Sequence, residues 1–190
     1  LYQKREWNPR WENAFAPALC HRIDRNTGGM VIAAKNAETL RIINEKIRLR
    51  EIDKRYLCIT VGRPKPPEGR IECFLLKDEQ KKQVSVYHRP VPGGKTAVTR
   101  YRTLETRGEL SLLEVELLTG RHHQIRAQLS KIGCPIRGDL KYGARRSLPG
   151  GGISLHSRSV EFEHPVRHEP VAVTAPVPAD DNLWAYFENR

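Results

Sequence analysis

The segment "ALCHRIDRNTGGMVIAAK", residues 18–35, places a cluster of charged side chains directly before an apolar run. The apolar residues 30–34 predict a buried strand, and Gly28 and Gly29 before it permit backbone angles that other residues avoid. The charged cluster at residues 21–25 is therefore expected at a tight bend beside the core. Reactive side chains are often held at such bends, but charged loops without a chemical role are also common.

The composition indicates one globular domain with a strong basic excess. A chain of 190 residues is long enough for a single domain with its own core. The 33 Lys and Arg against 22 Asp and Glu give a formal net charge of +11, which favours a polyanionic partner and nucleic acid above all. A membrane surface is the rival partner, yet no uninterrupted apolar stretch approaches the ~20 residues of a spanning helix. We therefore expect no membrane association.

The four cysteines, Cys20, Cys58, Cys73 and Cys134, lie far apart, in or beside apolar runs. This placement favours buried free thiols over disulfides or metal ligands, and free thiols suit a reducing compartment. The opening segment "LYQKREWNPRW" shows neither an initiator Met nor the apolar core of a signal peptide. The expected location is the cytoplasm.

The order of the predicted elements indicates an α+β domain. A first helix capped by Asn36 is predicted to end near Glu51, with Leu49 at the end of its apolar face. Short glycine-containing connections then predict antiparallel hairpins in a meander-like core. A second helix is predicted for residues 121–132, with Gly133 after its end. The predicted strands cover residues 54–62, 71–76, 84–87, 97–104, 110–118, 160–162 and 171–175, and a last short helix covers residues 182–188.

The segment "LLTGRHHQIRAQL", residues 117–129, collects positive charge where the second helix is expected to open, at Gly120. Arg121 and the amides of a helix N-terminus attract anions, so we expect a phosphate or a carboxylate there. The alternative is a solvated basic face. His122 and His123 are adjacent, so on a helix they would project about 100° apart and would not share a metal as an i, i+4 pair does. The sequence therefore predicts no metal site.

Asp24 is the carboxylate to consider as a catalytic group. Its neighbours Arg22 and Arg25 carry the opposite charge and would keep it ionised and oriented. A purely structural ion pair explains the same pattern, because such pairs are frequent in turns. Tyr56, taken alone, is typical of a core or cross-strand aromatic in a strand. Residue types alone therefore leave a catalytic role open.

Six motifs follow one another along the chain. They are "HRIDRNTGG" at 21–29, "KRYL" at 54–57, "TGRHHQIRAQL" at 119–129, "GCPIRGDLKYG" at 133–143, "SLHS" at 154–157 and "FEHPV…TAPVP" at 162–178. In this order and spacing they resemble the RluA-type family of RNA pseudouridine synthases, over about residues 19–180. The resemblance implies isomerisation of uridine in RNA: the base is detached from its ribose, turned and rejoined through C5. It implies no cofactor and no metal.

The resemblance also implies roles for three catalytic residues. Asp24 matches the catalytic Asp of the family, which is proposed to act as a nucleophile or as the base of an elimination route, and both routes stay open. A carboxylate is ionised at neutral pH and needs no prior activation. Arg126 matches the arginine that pairs with this Asp. Tyr56 matches the tyrosine that stacks on the target base and serves in proton removal late in the reaction.

Four further residues are expected to hold the RNA. Arg22 matches a family residue that fills the space left when the target uridine is extruded from its stack. Leu155 resembles an apolar wall of the pocket. Arg121 and Lys54 are expected to contact phosphates, and such contacts should be sensitive to salt.

The chain departs from the family pattern at three positions. Gly28 stands in place of the Ser of its "TSG" motif, Ile23 in place of a Leu, and Gln128 in place of a common His. The early strand with an Asn-Lys-Pro turn and the frequent S4-like RNA-binding domain are not found. We therefore expect residues 1–190 to be a single catalytic domain without these parts.

The sequence thus predicts an α+β pseudouridine synthase fold with a mixed, mostly antiparallel sheet. The expected function is isomerisation of uridines in ribosomal RNA, with transfer RNA as the alternative substrate and a monomer as the expected state. A non-catalytic RNA-binding module with the same fold is the second class of function. A DNA-binding protein is a third class, disfavoured because no helix-turn-helix or zinc-finger pattern occurs.

Overall fold

A single large sheet dominates the fold. The computed structural model describes residues 8, 10, 15–179 and 181–188. Seven strands lie side by side in the order β10 (Pro170–Thr174), β9 (Leu155–Glu163), β4 (Asp53–Val61), β8 (Leu110–Leu117), β7 (Lys95–Arg107), β5 (Glu68–Asp78) and β6 (Gln83–Tyr87), and the two-residue strand β2 (Gly28–Gly29) adds to β9 as the eighth. The β2–β9 pair is parallel and the other pairs of this sheet are antiparallel, which confirms the predicted mixed, mostly antiparallel sheet.

The described part of the chain forms two sheets, three helices and two short 3-10 turns. The large sheet contains β2 (Gly28–Gly29), β4 (Asp53–Val61), β5 (Glu68–Asp78), β6 (Gln83–Tyr87), β7 (Lys95–Arg107), β8 (Leu110–Leu117), β9 (Leu155–Glu163) and β10 (Pro170–Thr174). A separate two-stranded ladder contains β1 (Ala18–Leu19) and β3 (Ala33–Ala34). The helices are α1 (Ala37–Leu49), α2 (Gln124–Lys131) and α3 (Asn182–Glu188), with short 3-10 turns at Leu140–Tyr142 and Pro149–Gly151.

The main core lies between the middle of the sheet and α2. Buried side chains of β4 and β8, such as Cys58 and Leu113, pack with Ile125 and Leu129 of α2. These strands alternate between this buried face and the opposite face because side chains along a strand point to the two sides in turn. The helix is therefore pressed against the sheet, and its first turn is fixed in position.

The first helix is capped as the sequence predicts. The side chain of Asn36 accepts a hydrogen bond from the amide of Thr39 at 2.8 Å, and Ile43 is buried on the inner face. Leu49 is 50% exposed, so its assignment to the apolar face was wrong. The helix ends there because Arg50 takes a left-handed conformation and turns the chain toward β4.

The second helix begins later than expected. It starts at Gln124 rather than at Gly120, because His123 has a φ of 51° and so interrupts any helical path from Arg121. The predicted Arg and His donors therefore lie on a turn in front of the helix. The last short helix, α3, occupies residues 182–188 as predicted.

The apolar run at residues 30–34 is not the five-residue buried strand that its pattern predicted. Its backbone bonds go to different partners: Met30 donates to the carbonyl of Ser157, and Ile32 donates to Nε2 of His21. Only Ala33 and Ala34 form a regular pair, with β1. The segment is therefore a connector between two sheets.

The cysteines are free, as expected. Cys58, Cys73 and Cys134 are buried, and Cys20 is half-buried. Within residues 15–179 and 181–188, no helix is both long and apolar enough to cross a membrane.

Candidate active site

A pocket of about 390 Å³ opens between the loop after β1 and the first turn of α2. Asp24 contributes the only acidic side chain among the described residues that line it. The sequence-predicted site residues come together here from four separate parts of the chain. Those that line the pocket are Arg22, Asp24, Lys54, Tyr56, Arg121, Arg126 and Leu155.

Asp24 is held at the bend that the glycine pair makes possible. The amide of Thr27 donates to the carbonyl of Asp24 at 3.0 Å, and Gly28 and Gly29 then pair in parallel with β9. Gly29 has a φ of 102°, and a Cβ there would lie 2.3 Å from the carbonyl oxygen of Ser157. Only glycine can bring the loop this close to β9. The bend places Asp24 at the pocket wall with its side chain 19% exposed.

Arg126 joins two carboxylates below the pocket. Its Nε and Nη2 donate to the two oxygens of Asp139 at 2.7 and 2.9 Å, and its Nη1 donates to Oδ2 of Asp24 at 3.2 Å. Burial opposes the guanidinium charge, but the bonds to Asp139 and Asp24 outweigh it and raise the pKa of Arg126. Arg126 is therefore a fixed cation in the wall of the pocket.

The predicted pairing of Asp24 with its sequence neighbours was wrong. The ion pairs of Asp24 with described residues are to Arg126 and to His123, not to Arg22 or Arg25. Both neighbouring arginines are exposed. The oriented cation comes instead from a residue 102 positions away in the chain.

Tyr56 lies on β4 with only 7% of its surface exposed. Burial raises the pKa of the Tyr56 phenol and the charge of Asp24 raises it further, while a hydrogen bond with Ser157 opposes these effects. The phenol is therefore protonated at neutral pH. Its ring and Leu155, which is also buried, form the apolar part of the pocket wall.

His123 connects Asp24 to a buried tyrosine. The hydroxyl of Tyr142 accepts the amide of Val84 at 2.9 Å and lies 2.9 Å from Nδ1 of His123. A phenol has one proton, and donating it to Nδ1 satisfies both side chains, so we assign the His123 proton to Nε2. That nitrogen lies 3.9 Å from Oδ2 of Asp24. Burial and the charge of Arg126 lower the pKa of His123 to about 4, which keeps the ring neutral.

The side chains of His122 and His123 do not point in different directions, as adjacent residues on a helix would. The left-handed turn at His123 stacks its ring on His122, with centroids 3.8 Å apart, and ligand atoms of both rings and of Asp24 lie within 4.8 Å of one another. The expectation of a 100° separation was therefore wrong. The guanidinium of Arg126, 3.2 Å from the same carboxylate, would repel a cation at this position.

The rim of the pocket is basic. Arg22 and Arg121 are exposed, and Nε of Arg121 donates to the carbonyl of Thr96 at 3.0 Å. Lys54 is more buried, and this burial lowers its pKa. Burial and the charge of Lys54 lower the pKa of His21. The rim therefore has fixed cationic groups around one carboxylate.

Comparison with known proteins shows which family the chain belongs to. A family profile described as RNA pseudouridylate synthase matches residues 2–131. The chain belongs to this family. A pseudouridine synthase of Chloroflexus aurantiacus, described as an uncharacterized RNA pseudouridine synthase, is 39% identical over 166 residues, covering 86% of this chain and 51% of the relative.

A second curated relative has a more specific name. The ribosomal large subunit pseudouridine synthase C of Vibrio parahaemolyticus is 33% identical over 165 residues, covering 84% of this chain and 51% of that protein. The chain thus spans about half the length of the curated relatives it matches.

Solved structures confirm the pseudouridine synthase fold. The human protein named RNA pseudouridylate synthase domain containing 4 matches with a TM-score of 0.75 and 25% identity, over 90% of this chain and 76% of the other. The human protein named RNA pseudouridylate synthase domain containing 1 matches with a TM-score of 0.72 and 24% identity, over 86% and 70% of the two chains.

Sequence reasoning missed three residues of the site. Asp139, His123 and Tyr142 fix Arg126 and Asp24, but none was given a role. The sequence did contain a signal for two of them, because Asp139 and Tyr142 both lie in the "GCPIRGDLKYG" motif at 133–143.

The departure from the family pattern at Gln128 has a structural explanation. Gln128 is fully buried, and its Nε2 donates to the carbonyls of Ile71 and Ala97 and to Sγ of Cys73. Its amide therefore ties α2 to β5 and β7 behind the pocket. Gln128 is not among the residues that line the pocket.

Proposed function

We propose that this chain isomerises uridine to pseudouridine in RNA. The observation that carries the proposal is a carboxylate, Asp24, at the wall of an open pocket beside the guanidinium of Arg126 and the ring of Tyr56. The reaction conserves all atoms. The bond between N1 and C1′ breaks, a bond between C5 and C1′ forms, C5 loses a proton and N1 gains one.

Asp24 is suited to the first step of this isomerisation. The contacts of its carboxylate with described residues are all made to Oδ2, which leaves Oδ1 for the substrate. Asp139 already balances the charge of Arg126, and Arg126 fixes the orientation of Asp24 through one further hydrogen bond. We propose Asp24 as the nucleophile or, in an elimination route, as the base.

Tyr56 and Leu155 are suited to hold the detached base. An aromatic ring and an apolar side chain on the pocket wall can stack on a pyrimidine and exclude water. The Tyr56 phenol is protonated, so it can take the proton from C5 only after it gives up its own proton, and the Asp24 carboxylate in the same pocket is the group that can receive it. We propose this group for the late removal of the proton from C5.

The basic rim is suited to the RNA strand. Extruding a stacked uridine costs a few kcal/mol, and we propose that Arg22 fills the vacated space. Arg121 and Lys54 are proposed to contact phosphates next to the target nucleotide. The name of the Vibrio relative supports ribosomal RNA as the substrate, and we propose a monomer acting in the cytoplasm. Transfer RNA is the alternative substrate.

A non-catalytic RNA-binding module would need no open space at Asp24. The pocket of about 390 Å³ beside this carboxylate favours catalysis instead. A pocket of this size accepts a small ligand such as a pyrimidine nucleoside.

The decisive experiment is Asp24→Asn, assayed by tritium release from RNA labelled at C5 of uridine. We expect release to fall by at least about a thousandfold while RNA affinity is kept, because the amide neither attacks nor accepts a proton at neutral pH. The matched control is Asp53→Asn, which removes an exposed carboxylate at the start of β4 and should release tritium at the normal rate. Undiminished turnover by Asp24→Asn would reject the proposal.

A further inference from the structure

A second and larger cleft lies at the far end of β4 from the proposed catalytic pocket. It has a volume of about 1100 Å³ and includes Val61, whereas Tyr56 of the same strand lines the catalytic pocket. Five residues of extended strand separate the two, which is about 17 Å. The cleft is formed by the end of β4, the β7–β8 turn, the segment after α2 and the loop at residues 143–149.

The cleft has a rim of guanidinium groups. We call it the arginine cleft after Arg63, Arg137, Arg145 and Arg146, which all line it. Glu109 is the one acidic side chain among the described residues that line it. Four guanidinium groups around one carboxylate make a concave surface that attracts anions.

Two of these arginines are held in place and two are available. Arg63 donates to the carbonyl of Gly108 at 2.7 and 3.2 Å. Arg137 pairs with Asp181 at 2.6 Å. Arg145 and Arg146 are exposed, and neither forms an ion pair with a described residue. Their guanidinium groups are therefore free for a ligand.

The loop that carries the available arginines is anchored. The amide of Ala144 donates to the carbonyl of Asp139 at 3.0 Å. Further along, Leu148 packs against Gly138 so closely that a Cβ on that glycine would lie 2.5 Å from Leu148 Cγ. Arg145 and Arg146 thus project from a loop fixed on both sides, which lowers the entropy lost when they bind.

Two glycines leave bare backbone in the lining of the arginine cleft. A Cβ added to Gly108 or Gly133 would meet nothing within 4 Å, so at these positions the backbone itself faces open space. A wide ligand can therefore approach closely between the arginines. Guanidinium groups bind phosphate oxygens in a two-pronged geometry, so the surface suits a phosphodiester chain.

We propose that the arginine cleft binds the phosphate backbone of RNA at a distance from the target nucleotide, as a second anchor for the strand. This inference rests on the proposed function, which supplies RNA as the ligand. The two cleft arginines would add affinity for long RNA, and a strand too short to reach from the catalytic pocket would not benefit.

The test compares two lengths of RNA and two double variants. Fluorescein-labelled oligouridylates of 40 and 3 nucleotides are titrated with the 190-residue chain, with Arg145→Gln/Arg146→Gln, and with Arg41→Gln/Arg48→Gln. The control variant removes the same charge from the exposed side of α1. We expect the cleft variant to bind the 40-mer about tenfold more weakly and to lower the salt slope by about 1 to 2. Binding of the 3-mer, which is too short to span the two sites, should be unchanged.

Three outcomes would overturn the inference. They are an unchanged affinity of the cleft variant for the 40-mer, an equal loss in the α1 variant, and an equal loss with the 3-mer. Arg145→Lys/Arg146→Lys separates misfolding from lost charge, because it should recover most of the affinity. Tritium release by the wild-type chain is measured in parallel, so that failure of the proposed reaction is distinguished from failure of the second anchor.

Discussion

Asp139 determines what Arg126 can do for Asp24. Both oxygens of Asp139 bond the guanidinium, and its side chain is only 1% exposed. The negative charge of Asp139 therefore balances the positive charge of Arg126. Asp24 gains an orienting hydrogen bond from Arg126. We therefore regard Asp139 as a positioning residue.

Replacing Asp139 with Asn should weaken both activity and folding. Arg126 would turn fully to Asp24, so we expect kcat to fall up to about 100-fold with a smaller change in KM. Breaking a buried ion pair costs about 3–5 kcal/mol, and because Asn keeps one acceptor we expect a loss of about 2 kcal/mol. Single-turnover kinetics and urea unfolding measure the two effects. A folded variant with unchanged kcat would contradict the positioning role.

At the residue level, charge patterning and family resemblance gave different partners for Asp24. Asp24, Tyr56 and Arg126 all line the same pocket as expected, and their roles stay predictions. Charge patterning paired Asp24 with its neighbours Arg22 and Arg25 and was wrong, because sequence adjacency carries no information on a contact 102 positions away. Asp139 was missed for the same reason. The resemblance implied the pair with Arg126, and the structure contains it.

The element that holds the Asp24 loop is the two-residue strand β2. Its parallel pairing with β9 sets Gly29 opposite Ser157, and Met30 then donates to the Ser157 carbonyl at 3.2 Å. β9 also carries Leu155 and pairs with β4 beside Tyr56. One short strand therefore fixes Asp24 relative to both apolar walls of the pocket.

Gly29→Ala should displace the loop. The new Cβ would lie 2.3 Å from the carbonyl oxygen and 2.6 Å from the nitrogen of Ser157, and backbone atoms of a central strand cannot move aside. We expect a loss of about 3 kcal/mol in the free energy of unfolding, which exceeds the strain of positive φ alone. Urea unfolding measures it, and tritium release should fall with it.

Gly150→Ala is the matched control for this prediction. Gly150 has a φ of 76°, but a Cβ there would meet nothing within 4 Å. The control variant therefore has the strain of a positive φ but no steric clash, and we expect its free energy of unfolding to fall by about 1 kcal/mol. Equal losses in the two variants would show that the contact with Ser157 does not hold the loop.

At the level of elements, alternating patterns were reliable and irregular segments were not. The strands β4 to β8 lie where alternation and short turns predicted them, because each has one face on the core. The run at residues 30–34 is apolar, so its pattern resembled a buried strand. Its backbone, however, bonds to several partners and not to one neighbouring strand. The late start of α2 depends on the left-handed His123, which no local pattern reveals.

The molecule as a whole holds several histidines in places that disfavour their charge. Burial is the first cause in each case, and it lowers the pKa of His21, His122, His123 and His156. Around His123 the charges of Arg126, His122 and Lys141 act in the same direction, and only Asp24 opposes them. Positively charged neighbours in the pocket around Asp24 thus add to burial in keeping His123 unprotonated.

Folding should therefore become less stable on mild acidification. An unfolded histidine has a pKa near 6.5, whereas His123 in the fold has a pKa of about 4, so between these values the unfolded chain binds more protons. The stabilisation is complete above pH 6.5 and declines as the pH falls toward 4. Urea unfolding at pH 7.5 and pH 5 measures the decline. His123→Asn, which tolerates the left-handed backbone, should show a smaller decline than wild type, and an equal decline would exclude His123 as a source.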